Sequence, residues 1–238
     1  MKPARDPDRR RREAVLEAPA YLVAEAALYL GIPRATLRYW VRGARYRTSR
    51  GSRTAAPLIR TPEPGVLSFL NLVEAHVLDA IRRQHKISLQ GVRRALDYLV
   101  KRSPSEHPLA DQSFATDGAD LFVEQYGALV NVSAGGQIAL REMLQAHLRR
   151  IERDDAGLPV RLFPYTRKSE LEEPRRVAID PRVQFGRPVL AGTGIPTEVI
   201  AERFKAGESL DDLARDYGRS QDEIQEAVRA ELYLHTAA

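Results

Sequence analysis

Between Leu22 and Gly43 the chain carries two short apolar-striped segments with very little length to join them. Val23, Ala26, Ala27 and Leu30 stand at i, i+3, i+4 and i+7, the spacing of a one-faced helix. Gly31 ends that helix, and Pro33 suits the first turn of another. Leu37, Trp40 and Val41 then form a second apolar stripe, which stops at Gly43. Ile32 is a poor N-cap for the second helix. Two helices this short, joined by a tight glycine turn, bury both stripes in the helix-turn-helix layout. Ala26, Ala27, Leu30, Leu37 and Trp40 are its expected core.

The outer side of the second helix is the informative one. Arg34, Arg38 and Arg42 recur every four residues, and like charges at that spacing repel. A polyanion lying along the helix would remove the penalty. A helix of this size fits the DNA major groove, where arginine reads guanine and clamps phosphate. Thr36 and Tyr39 add hydroxyls, and Arg45 and Arg47 follow directly. The competing reading of the stripe alone is a solvated basic face. Residues 44–64, which also hold Arg50, Arg53 and Arg60, read either as a wing beside the helix or as a solvated loop. In the wing reading, Pro57 to Arg60 supplies the returning strand.

Charge distribution agrees with a polyanion at this end. The first 60 residues hold fourteen Lys or Arg and five Asp or Glu, which is +9. The whole chain is +5, so the remainder carries −4. Only five of the 37 cations are Lys, so an arginine-rich genome would also raise the arginine content. Spacing carries the argument, and content does not.

The rest of the chain reads as mainly α with a small β component. Residues 1–18, with the run Arg9 to Arg12, read as a basic flexible tail. Residues 19–103 read as the DNA-binding domain, with Ser68 capping one supporting helix and Ser88 starting another. The segment 104–166 reads as a β-hairpin over Leu121 to Ser133 around Gly127, then a helix from Gln137 to Ile151 and a short strand near Pro159. Residues 167–176 read as a linker. From Val177 to the end, a Gly- and Pro-dense loop precedes a three-helix bundle over 197–206, 209–217 and 220–234. Ser209 and Ser220 are the N-caps, and Glu223 completes a capping box with Ser220.

Several chemistries find no support. The chain has no cysteine, which excludes disulfides and thiol catalysis. No apolar run reaches the roughly 20 residues of a membrane helix, and no secretory signal is read, so a cytoplasmic protein is expected. His76, His85, His107, His147 and His235 are scattered without metal-ligand spacing. Glu74, His76 and Asp79 do not converge on one helix face. The GTGIPT stretch lacks the lysine of a phosphate loop. No catalytic residue, metal or cofactor is expected.

The stretch VAEAALYLGIPRATLRYWVR, Val23 to Arg42, resembles the winged helix-turn-helix of MerR-type regulators. The resemblance places Arg38 and Tyr39 at phosphate contacts and Leu37 in the core. Residues 179–229, with DPRVQFGRPVLAGTGIPTEVI and then AGESLDDLARDYG, are similar to the bacterial domain of unknown function numbered 433. Asp180, Pro181, Gly186, Pro188, Gly192, Thr193, Ile195 and Pro196 match that pattern, and Gly194 departs from an arginine common there. The motif reads as a structural loop packed on the three helices.

A MerR-like head with this tail resembles antitoxins of the VapB type. The resemblance implies a partner toxin, a VapC-type ribonuclease of the PIN fold, and repression of the chain's own operon. Arg182, Arg187 and Arg203 are candidates for toxin contact. A homodimer is expected, since two recognition helices would meet half-sites about 34 Å apart. Two alternatives stay open: a MerR-like regulator whose C-terminal half senses a ligand or dimerises, and an adaptor whose basic end binds RNA. The few aromatics among the arginines fit single-strand stacking poorly.

Overall fold

A computed structural model describes residues 7–48, 51–83, 89–130, 132–166 and 174–236. Readings placed on the first six residues, Arg50, His85, Ser88 and residues 167–173 of the linker lie outside them. The fold is mainly α with a small β component, as the sequence implies.

Helix α1, Pro7–Glu17, begins the described chain. It corrects the flexible-tail reading over these residues. Leu16 is buried, α1 packs on a helix some fifty residues later, and Arg12 Nη1 donates to Asp154 Oδ2 at 2.7 Å. The arginine run hides the one apolar residue that docks it.

Strand β1, Tyr21–Leu22, leads into α2, Val23–Leu30, and α3, Arg34–Arg42. Strands β2, Ala44–Thr48, and β3, Gly51–Ala55, form an antiparallel hairpin. The returning strand is therefore Gly-Ser-Arg-Thr-Ala, and Pro57 to Arg60 does not serve as one. Strand β4, Val66–Leu67, closes back on β1. Helix α4, Phe69–Arg83, is buried nearly all round and forms the axis on which α1, α2 and later elements pack. Ser68 starts it: its hydroxyl accepts from the Asn71 amide, and Asn71 Oδ1 accepts from the Ser68 amide. Helix α5, Leu89–Arg102, follows.

The middle segment differs from its sequence reading. A π-helical turn, Phe114–Gly118, leads into α6, Ala119–Val130, where a hairpin is predicted. The valine, leucine and aromatic content suggests strand, yet Phe122, Val123 and Tyr126 fall on one helical face and are buried. Gly127 fits helix packing, because a Cβ there would lie 2.6 Å from the Gln137 side chain. Helix α7, Ala134–Leu148, packs on both α4 and α6. Strands β5, Ile151–Arg153, and β6, Pro159–Leu162, pair next, the second matching the expected strand. One continuous core runs from Leu16 to Ile179, so residues 19–103 and 104–166 share it.

The C-terminal unit follows its reading closely. Strands β7, Val177–Ala178, and β8, Val189–Leu190, flank the Gly- and Pro-rich loop. Helices α8, Thr197–Lys205, α9, Leu210–Tyr217, and α10, Gln221–Thr236, enclose a second small core of Leu190, Ile200, Leu213, Ile224, Ala227 and Val228. Ser209 caps α9, and Ser220 with Glu223 forms the capping box of α10. Helix α10 also packs on α2, which joins the two units.

A buried polar cluster ties α4 to the loop after α5. Glu74 accepts from Asn71 Nδ2 at 3.2 Å and lies 3.0 Å from His107 Nδ1. Burial pulls the His107 pKa down, but the hydrogen bond and charge of Glu74 outweigh it and hold the ring above its usual 6.5. A raised folded-state pKa stabilises fully below the unfolded value, and the contribution is lost as pH rises through the folded value. The wild type should therefore lose stability as pH rises from about 6.5, and His107→Gln should flatten that loss. Urea midpoints across this range check it; parallel curves for the two proteins would contradict the assignment.

Candidate nucleic-acid interface

The geometry of α3 begins with how α2 ends. The Ile32 amide donates to Ala27 O at 3.0 Å, and the Gly31 amide to Leu28 O at 3.0 Å. This double closure places an apolar residue against the helix it terminates. Ile32 is that residue, and it is buried. Its poor capping chemistry is thus explained: it belongs to the end of α2, while Pro33 occupies the N-cap position of α3.

Ala26, Ala27, Leu30, Leu37 and Trp40 are all buried, as the apolar spacing implies. Trp40 does two jobs. Its ring fills the core, and its carbonyl accepts from the amides of Leu58 at 2.7 Å and Ile59 at 3.1 Å. Carbonyls in the last turn of a helix have no intrahelical partner, so this contact satisfies one and anchors the chain returning from the hairpin. Arg93 of α5 secures the same return, donating to Ala56 O at 2.6 Å and Pro57 O at 3.2 Å. Nothing in the local sequence marks Arg93, whose partners lie more than thirty residues away.

With the apolar stripe fixed inward, Arg34, Arg38 and Arg42 are exposed. Thr36 and Tyr39 are half-buried beside them. Arg42 lies along the backbone at Gly65, where a Cβ would come within 2.6 Å of its Nη2. In the hairpin, Arg45 pairs in register with Thr54 and Arg47 with Ser52. The structure thus brings the helix and the Arg45 and Arg47 positions together at one end of the molecule, one residue apart at Gly43. No side chain caps the start of α3, which leaves its first amides open to water or an anion.

The C-terminal motif is a different kind of site. Buried Asp180 accepts from Arg182 Nε at 2.9 Å, Nη2 at 2.8 Å and the backbone amide at 2.9 Å. Burial would raise its pKa, but these bonds outweigh that and hold it below the usual carboxylate range. Thr193 Oγ1 donates to Leu190 O and accepts from the Ile195 amide. Pro188 O accepts from the Thr197 amide, Pro196 stands at the N-cap of α8, and Gly192 turns the loop. These contacts are structural. Among the three arginines considered for a partner, Arg182 is bound to Asp180, and Arg203 is bound to Glu208 and Asp216 over the Tyr217 ring. Arg187 is exposed, with Glu198 3.9 Å away.

Comparison with known proteins agrees with this division. A family described as "Putative DNA-binding HTH domain" matches residues 19–96, and "Protein of unknown function (DUF433)" matches residues 177–229. "Putative antitoxin VapB45" of Mycobacterium tuberculosis is 32% identical over 92% of this chain and 96% of that protein. The chain belongs to the VapB45 family. "Uncharacterized protein Rv2308" of the same organism is 27% identical over 90% of this chain and 91% of its own length. The X-ray crystal structure of Rv2018, also from that organism, superposes with a TM-score of 0.64 at 25% identity, covering 90% of this chain and 99% of that one. The VapB45 resemblance thus spans both units and the segment between them. Among the described residues no helix is long and apolar enough to cross a membrane, and no three His, Asp or Glu gather as metal ligands.

Gly43 joins α3 to the hairpin with φ +69°, and a Cβ there would lie 2.0 Å from Ala55 O. Both the conformation and the space require glycine. Gly43→Ala should cost about 1–3 kcal/mol and lower the thermal midpoint measured by circular dichroism. An unchanged midpoint would contradict the junction described.

Proposed function

We propose that this chain is a DNA-binding antitoxin that neutralises a VapC-type ribonuclease of the PIN fold by direct contact and represses its own operon. The observation that carries the DNA-binding half is the exposed row Arg34, Arg38 and Arg42 on a helix whose opposite face is locked by Trp40. Such a row is costly in water and favourable against phosphates. The helix-turn-helix family match and the MerR-like spacing support placing α3 in the major groove. In this reading the β2–β3 hairpin is the wing, and Arg45 and Arg47 reach the flanking backbone.

The toxin half rests on the VapB45 relationship and on the presence of a second, differently built unit at the far end of the chain. In this reading the chain works by binding rather than by catalysis. It acts as a homodimer, presenting two α3 helices to half-sites one helical turn apart.

Fluorescence anisotropy with a duplex from the region upstream of its own gene tests the DNA assignment. Arg38→Ala with Arg42→Ala should weaken binding at least about tenfold, at roughly 1–3 kcal/mol for each contact that reads a base. The slope of log K against log salt should fall by about 2, since each phosphate contact contributes about 0.9. An affinity and slope equal to wild type would remove α3 from the interface.

A further inference from the structure

Phe185 is 93% exposed, whereas the other exposed large apolar residues among those described lie between 41% and 57%. Isolated apolar residues on a surface are ordinary. A ring almost wholly in water is less so, and here the backbone is unusual too. Gln184 has φ 49° and Phe185 φ 56°, so two consecutive L residues adopt the left-handed region ahead of Gly186. That conformation is disfavoured for a residue with a side chain.

Three hydrogen bonds and one close approach hold the loop in this shape. The Arg187 amide donates to Gln184 O at 3.1 Å, and the Gly186 amide to Val183 O at 2.9 Å. Gln184 Nε2 donates to Gly194 O at 3.0 Å. Tyr21 of the helix-turn-helix unit presses on Gly186 so closely that a Cβ would lie 2.0 Å from its hydroxyl. The backbone of the turn is held, and the ring itself is left outside. Next to it, Arg187 presents an exposed guanidinium whose nearest carboxylate, on exposed Glu198, is 3.9 Å away.

We propose that Phe185, presented by the strained 184–186 loop, is the anchor by which this chain grips its partner toxin. The site it fits is an apolar pocket with a carboxylate at its rim for Arg187. This rests on the antitoxin reading above. Phenylalanine and arginine are both enriched at protein interfaces, and a preformed loop loses little entropy on binding. The strain is retained because a glycine at 185, which would relieve it, would remove the ring.

The test uses the full chain and the VapC-type ribonuclease encoded beside it, with affinity measured by calorimetry. Phe185→Ala should weaken the complex at least about 30-fold, and Arg187→Glu should weaken it and reverse its salt dependence. Duplex DNA binding and the thermal midpoint of Phe185→Ala should match wild type. Phe185→Gly should weaken the complex equally while raising the midpoint. A wild-type complex that Phe185→Ala leaves unchanged overturns the proposal and spares the antitoxin reading. No complex with the wild-type chain defeats that reading, and the proposal with it. Loss of self-association in Phe185→Ala, seen by sedimentation, with toxin affinity intact would assign the ring to a second copy of the chain and overturn the proposal.

Discussion

The burial of Trp40 is the contact on which the arginine-bearing helix α3 depends. Its ring occupies the core beneath α2 and α3, and its carbonyl receives two amides from the chain leaving the hairpin. Removing a buried aromatic of this size costs about 3–5 kcal/mol in typical cores. The hairpin return is held separately, by the backbone carbonyl at this position, which a side-chain substitution leaves in place. Because the apolar stripe is fixed inward at this point, the three arginines have nowhere to face but out.

The support behind that contact is broad. Helix α4 is buried almost all round, and α1, α2 and α7 all pack on it. The helix-turn-helix thus shares one continuous core with a larger helical body. The C-terminal unit has its own small core and meets this body through α10 on α2 and Tyr21 on Gly186. Tyr29 lies at the same junction, edge-on to Tyr21 with ring centres 6.3 Å apart, and burial with nearby Glu25 pushes its hydroxyl up to about 12. The two units are therefore connected through packed side chains.

What the sequence made legible was local. The apolar spacing of α2 and α3, the stop at Gly43 and the serine caps of α9 and α10 each depend on residues within a turn or two, and each reads correctly. What it hid depends on distant partners. Helix α1 is docked by Leu16 and by an ion pair with Asp154, 142 residues on. Helix α6 carries a strand-like composition, and its glycine lies against the Gln137 side chain of α7. The returning strand β3, Gly-Ser-Arg-Thr-Ala, has no apolar alternation to betray it, whereas the amides of apolar Leu58 and Ile59 bond to Trp40. Ile32 looks like a faulty cap until the end of α2 is seen to claim it. At the candidate interface the arginine row was legible, but Arg93 and the posture of Phe185 were not, since a left-handed backbone at a phenylalanine leaves no mark in the letters.

The most direct measurement is a crystal structure of the chain bound to duplex DNA from its own upstream region. The account predicts α3 in the major groove, with Arg34 and Arg38 within hydrogen-bonding distance of base edges or phosphates and the β2–β3 hairpin against the adjoining backbone. A complex in which α3 stays in solvent while another surface holds the duplex would contradict it.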